Sequence, residues 1–262
     1  MTNRLQLQEI KATLEKAAAI AEPSVDIRQF LAFPPENIDK AENTNVPALL
    51  IYGLNIFAKA LISSLITEAS INSGHAEPIG IVAAQIFSMD SFVYQGHHMV
   101  DILWAKYRVV CPALWGFYGD ENTEPGRRAV GWWKEGPEGP FISEQGHTDR
   151  MTALGAGFAS LTLRNFGRTP RRNPFPNHMF WYSMHKIVSV SPDDLQETHV
   201  SLLAAMLRSS AERIVGFFGH VGLALMRKAI VEIPATIPRQ TMSVNQLKLL
   251  KDLYRREKNI II

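Results

Sequence analysis

The architecture turns on residues 46–70, VPALLIYGLNIFAKALISSLITEAS. From Val46 to Ile66 this run is apolar and long enough to cross a bilayer. Asn55 and Lys59 sit inside it, however, and a charge at mid-membrane is costly. A buried helix at the centre of a folded domain costs less, so no membrane insertion is expected. The rest of the chain repeats the helical spacing. Leu7, Ile10, Leu14 and Ala17 mark one face of a first helix that ends before Pro23. A helix opening at Glu77-Pro78 runs to Phe87, and another is expected over His97–Val110, with Met99, Ile102, Leu103, Tyr107 and Val110 as its apolar stripe.

Further along, helical periodicity covers residues 147–166 and 179–190. Ser191-Pro192-Asp193-Asp194 reads as a helix start, with a capping serine and acids in the first turn. Two helices are expected over 195–231, broken near Gly216–Gly222. Ser243 and Gln246 pair as a capping box for a last helix to about Glu257. About nine helices result, with no convincing strand alternation. The pattern predicts an all-α fold, a HEAT-like array of antiparallel helix pairs. Residues 1–45 read as an N-terminal helix and linker, and 46–262 as the main helical domain, together one compact unit.

The chain has 262 residues and a formal charge of +2. That near-neutral balance gives no general attraction to nucleic acid or membrane, so any such role must come from a local patch. A single cysteine, Cys111, excludes an internal disulfide framework and cysteine-rich zinc modules. The N-terminus, MTNRLQLQEI, lacks the basic-then-apolar layout of a signal peptide. Residues 113–147 carry three of the five tryptophans among many glycines, which fits an ordered, packed loop rather than a linker.

The motifs of enzymes are missing. There is no phosphate loop of the GxxxxGK[ST] type, no HExxH, and no spacing that converges four zinc ligands. Gly155-Ala156-Gly157 falls within a helical pattern and reads as small residues permitting close helix contact. Cations are more informative. Lys59 interrupts an apolar helix face, either reaching the surface or lining an anion site. Lys106 and Arg108 lie on a later helix. Arg164, Arg168, Arg171 and Arg172 gather around a proline-bearing loop, as a solvated face or as a second anion patch. The last helix has a basic face of Lys248, Lys251, Arg255 and Arg256.

Several ordered segments carry a resemblance. They are NIFAKALI (55–62), HAEPIGIVAAQIF (75–87), CPALWGFYGDENTEPGRRAVGW (111–132), Asp149-Arg150-Met151, Pro174–Trp181 and the helices around Gly219–Lys228. Across residues 46–258 the chain resembles the C-terminal domain of the fungal Gle-one mRNA export factor family. The resemblance implies a helical array similar to the MIF-four-G middle domain of a translation scaffold. It implies a domain that is not an enzyme, that binds a DEAD-box RNA helicase and stimulates its ATPase cycle, with inositol hexakisphosphate as an interface tether. It further implies an FG-repeat nucleoporin and translation initiation factors as partners, and a place at the cytoplasmic face of the nuclear pore and in the cytoplasm. The near-neutral charge and the few aromatics beside the arginines predict weak or no direct RNA binding, and the missing ligand spacing predicts no metal. By motif it assigns Lys59 and Lys106 to the inositol phosphate, with Arg108 and Lys11 added. Val109 and Val110 stand where some relatives have two lysines. A helical RNA-binding or translation-scaffold module built on the Arg164–Arg172 cluster is the alternative.

Overall fold

Leucine-rich and alanine-rich periodic segments, short capped connections and few β-branched runs leave the backbone one economical solution, helices that bury one face each. The computed structural model describes residues 3–262. Its helices are α1 (Asn3–Ala18), the single turn α2 (Glu36–Asp39), α3 (Ala48–Ser64), α4 (Ala76–Phe87), α5 (Asp101–Val110), α6 (Glu124–Val130), α7 (Glu144–Thr162), α8 (His178–Val188), α9 (Glu197–Arg208), α10 (Ala211–Arg227), α11 (Ile233–Thr236) and α12 (Met242–Lys258). Nine of these have ten residues or more and match the nine periodic segments one for one. The all-α expectation holds. Only two short antiparallel ribbons accompany the helices, β1 (Ser24–Asp26) with β2 (Asn45–Pro47) and β3 (Val93–Tyr94) with β4 (His97–His98).

The run at 46–70 is a core helix. Along α3, Leu50, Ile51, Leu54, Ala58, Leu61 and Ile62 are buried, and α3 packs against α1 and α5. Two helices, Ala48–Ala69 and Ala211–Thr236, are long and apolar enough to cross a membrane by length and composition. The first turns its buried face into the core, and the second carries Glu212, Arg213, Arg227, Lys228 and Glu232 along its length.

At the centre lie α7 and α9. Met151 and Ala153–Thr162 are buried on every side of α7, and Thr198–Leu207 are all buried on α9. Glycine makes their close approach possible. A Cβ on Gly155 would meet the Ala205 methyl at 3.0 Å and the Leu202 carbonyl oxygen at 3.1 Å. Gly155 and Gly157 therefore serve helix contact, as their place in a helical pattern suggests.

The boundaries differ from the sequence reading where side chains cap differently. His97-His98 belong to β4, and α5 begins only at Asp101, because Gln95 and Gly96 at φ 47° and 83° form a tight hairpin turn ahead of it. Ser191–Asp194 form a turn. The helix start lies at Gln196, whose side chain and His199 cap α9 reciprocally. The break expected at Gly216–Gly222 is a kink at Gly219 (φ 56°, ψ −136°) inside α10, and α9 and α10 separate at Ser209-Ser210. For α12 the cap is Thr241, whose Oγ1 accepts from Val244 N–H at 3.3 Å. Residues 34–45 are packed, with Ile38 and Thr44 buried and Ile27 N–H donating to the Thr44 carbonyl at 3.0 Å. After α12, Ile260 N–H donates to the Tyr254 carbonyl at 3.1 Å, and Ile260 and Ile262 pack against the core while Ile261 stays exposed.

Candidate functional site

Three segments build a groove of about 1040 Å³ on one side of the molecule. One wall is α3, contributing Asn55, Lys59 and Ile62. The facing wall is α5 with Lys106, Arg108 and Val109, continued by the 3-10 turn Pro112–Trp115. A strap at 29–33 closes one end. It is tied down by Ala32 N–H, which donates to the Asp101 carboxylate at 3.0 Å. The 3-10 turn stops at Gly116, whose φ of 80° suits glycine, and this turns Phe117 back over the end of α5. The Arg108 guanidinium then lies 5.1 Å from the Phe117 ring centre.

The charges in this groove are unbalanced. Lys59 and Arg108 are exposed and Lys106 is half-buried, and none makes an ion pair among the described residues. Arg128 also lines the groove but is matched by Glu124 at 2.7 Å. Asp101 serves the strap and faces His97 at 3.4 Å. Three unpaired cations against the single carboxylate of Asp101, itself engaged, leave the groove with excess positive charge, which an anion relieves. The fit to a polyphosphate is partial. Each phosphate monoester carries about −1.5 to −2, so six bring roughly −9 to −12 against three positive side chains.

The other cations fall elsewhere. Lys11 lies on α1, pairs with Glu15 at 3.7 Å, and does not line the groove. The Arg164–Arg172 cluster is divided by its hydrogen bonds. Arg164 is largely buried, reaches the Glu77 carboxylate at 3.1 Å and donates to the Glu77 carbonyl at 3.0 Å. Arg213 binds the same carboxylate at 3.1 Å, so Glu77 ties α4 to the end of α7 and to α10. Arg171 donates to the Gln85 carbonyl at 3.3 Å. Only Arg168 and Arg172 project freely, which is a thin patch for phosphate backbones. Phe33 and Val109, 87% and 78% exposed on the groove, and Arg128 had no sequence signal, because exposure of single residues does not follow from periodicity.

On the far side of α6 a second, polar cavity of about 600 Å³ lies where α7, α9 and α12 begin. The Trp132 ring stacks on His147 at 4.1 Å, and the Arg127 guanidinium lies over the Trp132 ring, 4.7 Å from its centre. His147 Nε2 lies 2.6 Å from the Thr198 hydroxyl, which donates in turn to the Glu121 carboxylate. Nε2 therefore carries the proton. Burial, with Arg150 and Arg127 nearby, holds the ring neutral and pushes its pKa down to about 3. Among the described residues no group of three or more His, Cys, Asp or Glu is arranged to hold a metal.

A family model for GLE1-like proteins matches residues 2–230. The mRNA export factor GLE1 of Chaetomium thermophilum is 39% identical over 259 residues, covering 97% of this chain and 49% of that protein. The Saccharomyces cerevisiae mRNA export factor GLE1 is 23% identical over 176 residues, 66% of this chain and 31% of the relative. The chain thus spans about half the length of the first relative and a third of the second. A solved complex of the S. cerevisiae Dbp5 C-terminal domain bound to Gle1 and IP6 contains a chain of the same fold. Its TM-score is 0.71 at 19% identity, covering 98% of this chain and 85% of that one. The groove with its three free cations is built on α3 and α5, within the stretch the family model spans, and the chain belongs to the GLE1-like protein family.

Proposed function

We propose that this chain is the helicase-binding domain of an mRNA export factor, which grips a DEAD-box RNA helicase through inositol hexakisphosphate seated on Lys59, Lys106 and Arg108. The single observation that carries the reading is the groove between α3 and α5, where these three cations line one opening and make no ion pair among the described residues, while Asp101, the one acid in that lining, is engaged by the strap and His97. Three cations balance only part of the ligand's charge, so the anion keeps enough charge to hold a second basic surface. That makes it a bridge between proteins rather than a ligand enclosed by one. That a chain of the same fold was solved bound to the Dbp5 C-terminal domain and IP6 supports the choice of partner and ligand.

In this reading residues 46–262 carry the helicase face, and 1–45 brace it through the strap at 29–33. The domain does no chemistry itself. It stimulates ATP turnover by the helicase and so drives remodelling of mRNA-protein particles at the cytoplasmic face of the nuclear pore, where an FG-repeat nucleoporin anchors it. Lys11 drops out of the anion set on geometric grounds. An RNA-binding role through the arginine cluster is disfavoured, because Arg164 and Arg171 are engaged in holding the fold.

Calorimetric titration with inositol hexakisphosphate tests the site. The wild-type chain is expected to bind, and Lys59→Asp with Lys106→Asp to lose binding at least about a hundredfold, since each reversal replaces an attraction by a repulsion worth about a kcal/mol or more. The same double variant is expected to lose stimulation of helicase ATPase. Unchanged binding in the double variant refutes the assignment.

A further inference from the structure

The cations occupy only part of the groove. Phe30, Phe33, Trp115, Phe117, Val109 and Ile62 are large apolar side chains of its wall. Phe33, on the strap, is 87% exposed and Val109, on α5, 78% exposed, and both line the groove. Ile56 and Tyr52 are exposed on α3 about one turn and about two turns before Lys59. An inositol polyphosphate presents charged oxygens around its whole rim and gains nothing from such walls. Large apolar side chains held open to water beside unpaired cations are the pattern of a protein-docking surface.

We propose that this groove also receives an acidic segment of a partner protein, whose large apolar side chain seats between Phe33, Val109 and Phe117 while its carboxylates meet Lys59, Lys106 and Arg108. Charge complementarity fixes the sign of the segment. A basic or neutral peptide would leave the three cations facing one another, whereas an acidic one relieves them. The apolar wall supplies selectivity, since burying one aliphatic or aromatic anchor is the kind of contact that dominates peptide affinity. Segment and inositol phosphate need the same cations, so they compete. Competition makes the groove a point of regulation, at which an acidic partner releases the tether. This rests on the anion-site assignment above.

The test uses the whole chain and a fluorescein-labelled acidic peptide of about twelve residues bearing one Leu and one Phe, with a control in which those two are Ser. By fluorescence anisotropy the apolar acidic peptide is expected to bind at least about tenfold tighter than the control. Unlabelled inositol hexakisphosphate is expected to displace it. Phe33→Ser with Val109→Ser is expected to weaken the peptide about tenfold while changing calorimetric affinity for inositol hexakisphosphate less than about twofold. Equal affinity for the two peptides, or an unchanged peptide affinity in the double variant, overturns the proposal. If inositol hexakisphosphate binds and the peptide does not, the proposal fails and the tether reading stands. If the peptide binds and inositol hexakisphosphate neither binds nor displaces it, competition is refuted together with the tether reading.

Discussion

His147 and His199 both sit neutral in the interior, and their protonation is coupled to folding. Burial pushes His147 down to about 3 and His199 down to about 4, from an ordinary value of 6.5. A depressed histidine pKa means that the unfolded chain binds protons first as pH falls. The stabilisation is complete above pH 6.5 and is lost progressively towards pH 4. Each unit of pH within that window costs about 1.4 kcal/mol per histidine. Urea unfolding at pH 7.5 and at pH 5 is expected to show a drop of about 2–4 kcal/mol for the two together. His147→Gln is expected to flatten that profile, because it removes one of the two titrating rings. An equal slope in the variant would mean that His147 is already open to water. Neither histidine was singled out by the sequence, since nothing local distinguishes a buried ring from an exposed one.

Among the helices, the two central ones depend on the absence of side chains at particular places. A Cβ on Gly157 would come 2.6 Å from Leu65 Cδ1 and 2.9 Å from the Tyr107 hydroxyl. Gly216, on the exposed side of α10, would meet nothing within 4 Å. Gly157→Ala is therefore expected to destabilise by about 1–3 kcal/mol through overpacking. Gly216→Ala is expected to stabilise by about 0.5–1 kcal/mol, the usual cost of glycine inside a helix. Thermal melts of the two variants, moving in opposite directions, check the distinction. The helices themselves were legible in the sequence, because the stripe on α3 or α12 is a local repeat set by 3.6 residues per turn. Their ends were less so. Ser191–Asp194 offers good capping chemistry, yet Gln196 takes the cap, because Glu121 and His199 are positioned by the tertiary fold to complete it.

For the molecule as a whole, the groove became visible only once α3, α5 and the strap were assembled. Lys59 and Lys106 are 47 positions apart in sequence, and their shared opening is a product of how α3 packs on α5. The sequence resemblance named Lys59 and Lys106 of its lining, with Arg108 added beside them, whereas Lys11, also added, is carried elsewhere by the first helix. It grouped Arg164 with Arg168, Arg171 and Arg172 by proximity, although Glu77 had claimed Arg164 from another helix. Because the groove holds three cations against a far larger negative charge, binding by the isolated domain is expected to be strongly salt dependent. Raising NaCl from about 50 to 300 mM is expected to weaken inositol hexakisphosphate by an order of magnitude or more, as screening shortens the reach of each charge. Adding the helicase is expected to tighten it and to blunt that dependence. Salt-independent binding by the domain alone would argue for an enclosed site.

The floor of the same groove has an optical consequence. Trp104, 8% exposed, and Trp115 line it and lie 6.1 Å apart, within a cluster that includes Tyr107 and Phe158. Indole emission responds to the polarity and water around the ring, so whatever fills the groove alters the fluorescence of these two tryptophans. Trp133, half exposed on the other side of α6, contributes a background indifferent to the groove. The domain thus carries an intrinsic reporter of its own occupancy, which needs no label and can be followed on the timescale of a stopped-flow mixing experiment.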